Sequence, residues 1–500
     1  MANASPNLSY FLNRLQGFST NYFRLESQNQ TSATAGQIVT IDLPDNSLLN
    51  LKSFKLLCKV STSGGTAGGR LCPIDNLIEK VEISVGGIIL SQGQNFTNVL
   101  LDAMVKMGQK SCDTAMGHPE IVRSKAYDYS GIAALTTTGN ESYSTFPFQN
   151  FAMSNFLGFI DSVAPSIIDT SILPSLRVRL TLAPNNVLAS VQSTALSNGE
   201  AFTTRNISVS TSHEFQIPGN TLNSGFSGGT TQNGNAGSAV YTVSEIHAMI
   251  EACGLANETY DNMIASMMNQ QGSLELAYKN YQSFQETHSG TSRFTVSSAS
   301  IDRVWTVWRA SDYNTVKKPV AVDGYKNKGC FAIDGTDDSN PGGVVNIGQG
   351  AYDTGSVFDT NKEKYVTSFF NYKAPFNIGD VVNATTEQQL QLNSAYFPNY
   401  PAGFGDVLAI TKNSLPMQGG EYLKNMTMSQ YLHNYCIQCY RFNLPGSENA
   451  RIMSGIDSRS SNLQGIVKTT GTSGDPILNI FVECTSVLRV GAGRAVEILA

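Results

Sequence analysis

The segment Leu176-Arg-Val-Arg-Leu-Thr-Leu182 decides the fold class: Leu176, Val178, Leu180 and Leu182 share one face of an extended chain, and Arg177, Arg179 and Thr181 take the other. Successive side chains point to opposite sides of a strand, so this pattern describes an antiparallel strand with one buried face. The same period recurs at 51–60, where Leu51, Phe54, Leu56, Cys58 and Val60 oppose Lys55, Leu57 and Lys59. At 301–309, Ile301, Arg303, Trp305, Val307 and Arg309 alternate with Asp302, Val304, Thr306 and Trp308, which places the only two tryptophans on opposite faces of one strand. Strand-like runs near 20–28, 36–43, 76–91, 206–217, 239–252, 273–286, 363–372, 386–394, 405–411, 430–443 and 477–490 spread over both halves. The class is therefore all-β.

Two segments carry helical spacing instead. Phe96, Val99, Leu100, Ala103, Met104 and Met107 follow an i, i+3, i+4, i+7 rhythm with Gly108 in the C-terminal cap position, and Tyr260, Met263, Ile264, Met267 and Met268 do the same before Gly272. Both are expected as core helices. The strand runs balance about the second helix, so two eight-stranded antiparallel sandwiches are expected side by side. The boundaries are an arm at 1–20, a first sandwich at 21–255, a linker helix at 256–272 and a second sandwich at 273–500. Gly/Ser/Thr/Asn-rich stretches at 219–238 and 323–360 read as long surface loops. Loops of that length over rigid sheets suit display at an outer surface.

A chain of 500 residues and 53.8 kDa exceeds what one core usually organises. No stretch approaches the ~20 apolar residues of a membrane-spanning helix, and the opening MANASPNLSYFLNRLQGF lacks a secretory pattern. A net charge of −6 argues against a basic nucleic-acid coat, so no sequence-specific nucleic-acid partner is expected. Charged residues make up 14%, against about 25% in an average domain. A polar but weakly charged surface suits packing against copies of the same chain, because each buried charge needs a partner. Eight cysteines in this length are too sparse for a disulfide scaffold and read as reduced core thiols.

Chemical motifs fail on context. Gly491 and Gly493 suggest a dinucleotide turn, but only seven residues follow Gly493, too few for the helix that would hold a pyrophosphate. Gly225-Phe-Ser227-Gly-Gly229 lies in a Gly/Ser-rich stretch without the strand a nucleophile elbow requires. Cys436 and Cys439, with His433 nearby, tempt as a metal site, yet residues three apart on a strand face opposite sides. Asp334, Asp337 and Asp338 depart from calcium-loop spacing. No catalytic residue, metal site or cofactor is expected. A β-sandwich carbohydrate-binding protein or glycosidase is the alternative, with no carboxylate pair singled out.

Three stretches resemble the double jelly-roll major capsid proteins of eukaryotic double-stranded DNA viruses, of the polinton-like virus and virophage type. They are LIEKVEISVGGIILSQGQNFTNVLLDAMVKM (Leu77 to Met107), QLQLNSAYFPNYP (Gln389 to Pro401), and Tyr440 to Ala500 with SGIDSRSSN and the closing TSVLRVGAGRAVEIL. The resemblance implies two upright jelly rolls per chain and a homotrimeric, hexon-like, pseudo-hexameric capsomer in an icosahedral capsid. Neighbouring capsomers, penton proteins and minor or cement proteins would be its partners, in virions assembled inside a host cell. It also implies that an insertion at about 311–360 rises as a tower, although those residues match nothing in the pattern. The arm carries apolar anchors Tyr10, Phe11, Leu12, Leu15 and Phe18, expected to dock in the assembled particle because exposed apolar surface gains by burial.

Overall fold

The computed structural model describes residues 18–63, 74–91, 93–110, 150–192, 240–255, 272–309, 387–415, 435–444, 453–459, 463–470 and 476–499. Shorter pieces are described at 69–70, 231–235 and 365–366, and in parts of 264–270, 315–326, 369–375 and 431–432. The 219–238 stretch lies almost wholly outside these residues, as do Asp334, Asp337, Asp338 and His433.

Among the described residues, sixteen principal strands build the two halves, and shorter strands add to their sheets. The first eight are β1 (Phe18–Glu26), β2 (Ile38–Asp42), β3 (Leu48–Ser63), β4 (Ile78–Val85), β5 (Ile88–Ile89), β6 (Asn150–Met153), β7 (Leu176–Leu182) and β8 (Val240–Leu255). They make two antiparallel sheets in the orders β1-β8-β3-β6 and β2-β7-β4-β5. The second eight are β9 (Ser273–Thr287), β10 (Thr291–Val296), β11 (Ile301–Arg309), β12 (Glu387–Leu392), β13 (Ala395–Gly403), β14 (Ile437–Arg441), β15 (Leu463–Thr469) and β16 (Ile477–Gly491). Their sheets run β9-β16-β11-β14 and β10-β15-β12-β13. Adding eight to each number converts one half into the other, so the chain carries the same jelly-roll order twice. A helix follows the fifth strand of each half: α1 (Thr97–Lys106) after β5, and α3 (Phe404–Ser414) directly after β13. A short helix, α2 (Phe159–Ser162), follows β6.

Alternation explains the cores. On β7 the four leucine and valine positions are buried while Arg177 and Arg179 are exposed, where they pair with Asp42 and Glu82 across the sheet. On β3 the buried set changes phase between Leu51 and Phe54. The β8 register jumps there, from Lys55 opposite Met249 to Asn50 opposite Glu251, so the irregular stretch returns both residues to the core. Phe54 then meets Phe156 edge to face at 5.1 Å, a geometry worth about 1 kcal/mol beyond the area buried. β11 differs: all nine residues are buried, so this strand is covered on both faces. Trp308 faces the interior between its own two sheets, with its ring 4.9 Å from His288 of the β9–β10 turn. Trp305 faces outward and donates to Glu483.

Three strand readings change. Among the described residues of 363–372 only Tyr365–Val366 is strand, and Phe369 and Phe370 form a turn. The 405–411 run is the middle of α3: Phe404, Val407, Leu408 and Thr411 are buried at helical spacing, and Thr411 accepts a hydrogen bond from the Cys439 amide of β14. Its valine, isoleucine and threonine favour a strand locally, and packing against the sheet overrides that preference. Among the described residues of the 430–443 run, Ile437 to Arg441 form the strand, and Tyr431 and Leu432 are helical. Gly108 caps α1 with a positive φ of 69°, as its position implies. Within 256–272, Ile264, Ser266, Asn269 and Gln270 are helical and Gly272 lies in a bend with a positive φ of 71°; the others lie outside the described set.

His288 is fully buried, with its ring nitrogens 2.5 Å from the Ser292 hydroxyl and 2.6 Å from the Thr469 hydroxyl. Burial lowers its pKa from 6.5 to about 4. In the unfolded chain this imidazole takes up a proton near pH 6.5, whereas in the fold it resists protonation down to about pH 4, so stability falls as the pH drops through that window. The loss reaches about 3 kcal/mol at roughly 1.4 kcal/mol per pKa unit. Urea midpoints at pH 7 and pH 4.5 should differ in the wild type, and His288→Gln should remove most of the difference.

Candidate assembly surfaces

The two sandwiches meet through α1, α2 and the outer face of the β9-β16-β11-β14 sheet. The free edge of β9 is met by backbone from the first half: the Ala164 amide donates to the Ala277 carbonyl at 2.9 Å, and the Ser283 amide donates to the Gly93 carbonyl at 3.0 Å. The Ser162 hydroxyl accepts from the Lys279 amide, the Tyr278 hydroxyl donates to the Leu90 carbonyl, and the rings of Phe159 and Tyr278 pack edge to face at 5.2 Å. Buried apolar side chains run without a break from one sandwich to the other across this junction.

Charge is buried here as well. Asn98, Asp102 and Lys106 recur every four residues along α1 and are all buried. Lys106 pairs with Asp102 at 2.8 Å, donates to the Phe370 carbonyl of the second half, and lies 4.1 Å from the centre of the Tyr372 ring. The Tyr372 hydroxyl answers by donating to the Val99 carbonyl. On the facing sheet, Lys279 bonds Asp302, and Arg303 and Trp305 both donate to Glu483. Burying these groups against one another is tolerable only because each ion finds a counter-ion or hydrogen-bond partner. Sequence reading treats α1 as an ordinary core helix and misses this junction. The four-residue polar stripe opposite its apolar stripe was the available signal, since a helix with both faces buried must bury its polar stripe too.

Among the described residues, the outer face of the matching sheet in the first half is less covered. Buried Leu56, Ala248 and Ile250 point into the first sandwich, so their neighbours Lys55, Leu57, Met249 and Glu251 point outward, and all four are only half-buried. Along β1, Ser19 to Arg24 are exposed, with Tyr22 at 59% and Phe23 at 44%. Tyr396 and Tyr400 are the other exposed aromatic side chains among the described residues, and both lie on β13.

Of the arm residues, Tyr10, Phe11, Leu12 and Leu15 lie outside the described residues; the Phe18 backbone opens β1, opposite Leu255. Cys436 and Cys439 are free and wholly buried, and burial pushes both thiols well above their ordinary pKa, which disfavours the thiolate that metal binding or nucleophilic attack needs. Among the described residues no group of three or more His, Cys, Asp or Glu side chains is placed to hold a metal, and no helix is long and apolar enough to cross a membrane.

No protein-family model and no curated protein matches the sequence. Solved structures do match in three dimensions. VP54 of PBCV-1, in a crystal structure fitted into a cryo-EM reconstruction of the virophage Sputnik, shares 13% identity over 99% of both chains with a TM-score of 0.52. The Faustovirus major capsid protein shares 10% identity over 98% of this chain and 93% of its own, with a TM-score of 0.50. At such identities the likeness is one of fold, and it spans both sandwiches: the chain has the double jelly-roll fold of viral major capsid proteins.

Proposed function

We propose that this protein is a major capsid protein whose trimers form pseudo-hexameric capsomers that tile an icosahedral shell, and that it is located in the virion and is not an enzyme. The observation that carries the reading is the repetition of one jelly-roll order within a single chain, in a fold shared end to end with a major capsid protein. Two sandwiches per chain and three chains supply six similar walls around one axis. The proposed units are 21–255 and 273–500, joined by 256–272, with the insertion at 311–360 rising as the tower. Backbone pairing of Ala189–Gln192 with Tyr365–Val366, and of Thr231–Asn235 with Thr315–Lys317, supports a shared upper end, since it ties the β7–β8 connection to the β11–β12 connection. Neighbouring capsomers, penton proteins and minor or cement proteins are the proposed partners.

Light scattering should give about 161 kDa, three times the 53.8 kDa chain, and electron micrographs should show pseudo-hexagonal particles. A monomer at micromolar concentration would overturn the reading. The arm, in this proposal, serves contacts between capsomers. Deleting residues 2–17, which spares β1, should leave trimers intact and reduce shell formation at least tenfold by particle counting. Loss of trimers would instead place the arm within the capsomer itself.

A further inference from the structure

Lys279 of β9, Asp302 of β11 and Glu483 of β16 meet on the covered face between the two sandwiches, and their atoms are placed for a reaction as well as for an ion pair. Asp302 reaches that face through an irregularity. Ile301 stands opposite Cys484 and Arg303 opposite Glu483, so two steps along β11 match one along β16, and the extra residue between them turns toward Lys279. Lys279 lies opposite Thr485 on the other flank of β16, and its Nζ reaches across to 2.5 Å from Asp302 Oδ2 and 3.7 Å from Glu483 Oε1. Both carboxylates are 2% exposed. Hydroxyl groups complete the arrangement: Ser300 donates to Asp302 Oδ1 at 2.8 Å, Thr485 donates to Oδ2 at 2.5 Å, and Lys279 Nζ donates to the Thr485 oxygen at 3.0 Å. Each partner is itself held in place. The Ser300 oxygen accepts from the Gly455 amide, Glu483 accepts from Arg303 and Trp305, and the Lys279 amide is fixed by Ser162 of the first sandwich.

We propose that Lys279 and Asp302 condense into an intramolecular isopeptide bond, with Glu483 as the proton carrier, a self-modification that stands apart from the capsomer reading. Starting from the ammonium and the carboxylate, one proton passes from Nζ to Oδ2 and leaves a neutral amine beside a carboxylic acid. The amine lone pair then attacks Cγ, and the negative charge that develops on Oδ1 is met by the Ser300 hydroxyl. Glu483 takes a second proton from the nitrogen and returns it to Oδ2. The Cγ–Oδ2 bond breaks, one water departs, and the new Cγ–Nζ bond becomes an amide that keeps Oδ1 and one hydrogen on nitrogen. Glu483 ends as it began, and no oxidant or reductant takes part. Condensation of a free amine with a free acid is unfavourable in water, but fixed placement gives the pair a very high effective concentration, and a site closed to water opposes hydrolysis of the product. The Lys279 side chain is 22% exposed, which leaves the released water a way out. The product would staple β9 to β11 across β16, joining both flanking strands of the sheet on which the first sandwich rests.

Intact-mass spectrometry of the folded full-length protein, denatured only for the measurement, should give the sequence mass less one water, with or without Met1. A tryptic digest should contain a branched peptide that joins Lys279 to Asp302. Lys279→Arg keeps the positive charge and removes the nucleophile, and Glu483→Gln keeps the shape and removes the proton carrier. Each variant, in fractions whose far-ultraviolet dichroism matches the wild type, should show its own full sequence mass and no branched peptide. A wild type at its full sequence mass would overturn the proposal and leave Lys279 and Asp302 as an ordinary ion pair. A missing water without the branched peptide would overturn it too, because an aspartate that cyclises on its own backbone also loses water. A branched peptide that persists in Glu483→Gln would overturn the role given to that carboxylate. The two wild-type measurements decide for or against the bond whether or not either variant folds.

Discussion

Replacing Glu483 by leucine is expected to destabilise the second sandwich by about 3–5 kcal/mol, the range for removing one member of a buried ion pair. Glu483 is 2% exposed and accepts from Arg303 at 3.2 Å and from the Trp305 indole at 3.3 Å, with Lys279 at 3.7 Å. Leucine leaves the Arg303 charge in a site that water does not reach, and deprives the indole of its acceptor at an additional ~1–3 kcal/mol. The pair itself need not be stabilising. A double variant, Glu483→Leu with Arg303→Met, removes both charges, and recovery of more than half of the loss is expected because apolar replacements of buried ion pairs are often neutral. Both tryptophans lie on β11, so denaturation followed by their fluorescence reports this sandwich without interference from the other. Equal destabilisation of single and double variants would show that the carboxylate acts through packing and not through Arg303.

That network also marks the limit of what the sequence discloses. Alternation on β7 and β3 is legible because one face of each strand meets water, and so is the helix ending at Gly108. β11 shows the limit, since a strand buried on both faces retains alternation only as the opposite placement of Trp305 and Trp308. Its charged residues, Asp302, Arg303 and Arg309, carry no sequence signal of the burial they have in the fold. The 405–411 window reads as strand because Val407, Ile410 and Thr411 are β-branched, and the decisive spacing of Phe404, Val407, Leu408 and Thr411 extends beyond that window. The repeat of strand order leaves no sequence period, because a jelly roll constrains the direction and pairing of strands and not the length of the connections. β3 to β4 spans 64–77, whereas β11 to β12 spans 310–386.

Gly465→Val is expected to be as damaging as emptying a core aromatic site, about 3–5 kcal/mol. Phe294 of β10 stands directly opposite Gly465 of β15, and its ring lies flat over the glycine: a Cβ built there would fall 2.0 Å from Cζ of Phe294. The ring is 3% exposed and packs on Phe284 at a centroid distance of 5.6 Å, so it has no vacant volume into which to retreat. Any side chain at 465 therefore expels Phe294 from the interface between the two sheets or separates β10 from β15. The requirement is steric and has a direct check in the pair itself. Adding Phe294→Ala to Gly465→Val should recover part of the lost stability, although Phe294→Ala alone is destabilising. Gly403 supplies the contrast, since a Cβ there meets nothing within 4 Å and its φ of −67° suits any residue. Gly403→Ala should stay within about 0.5 kcal/mol of the wild type. If Gly465→Val also proved neutral in tryptophan-detected denaturation, the close seating of Phe294 on β15 would be wrong, and with it the account of how the second sandwich closes around its core.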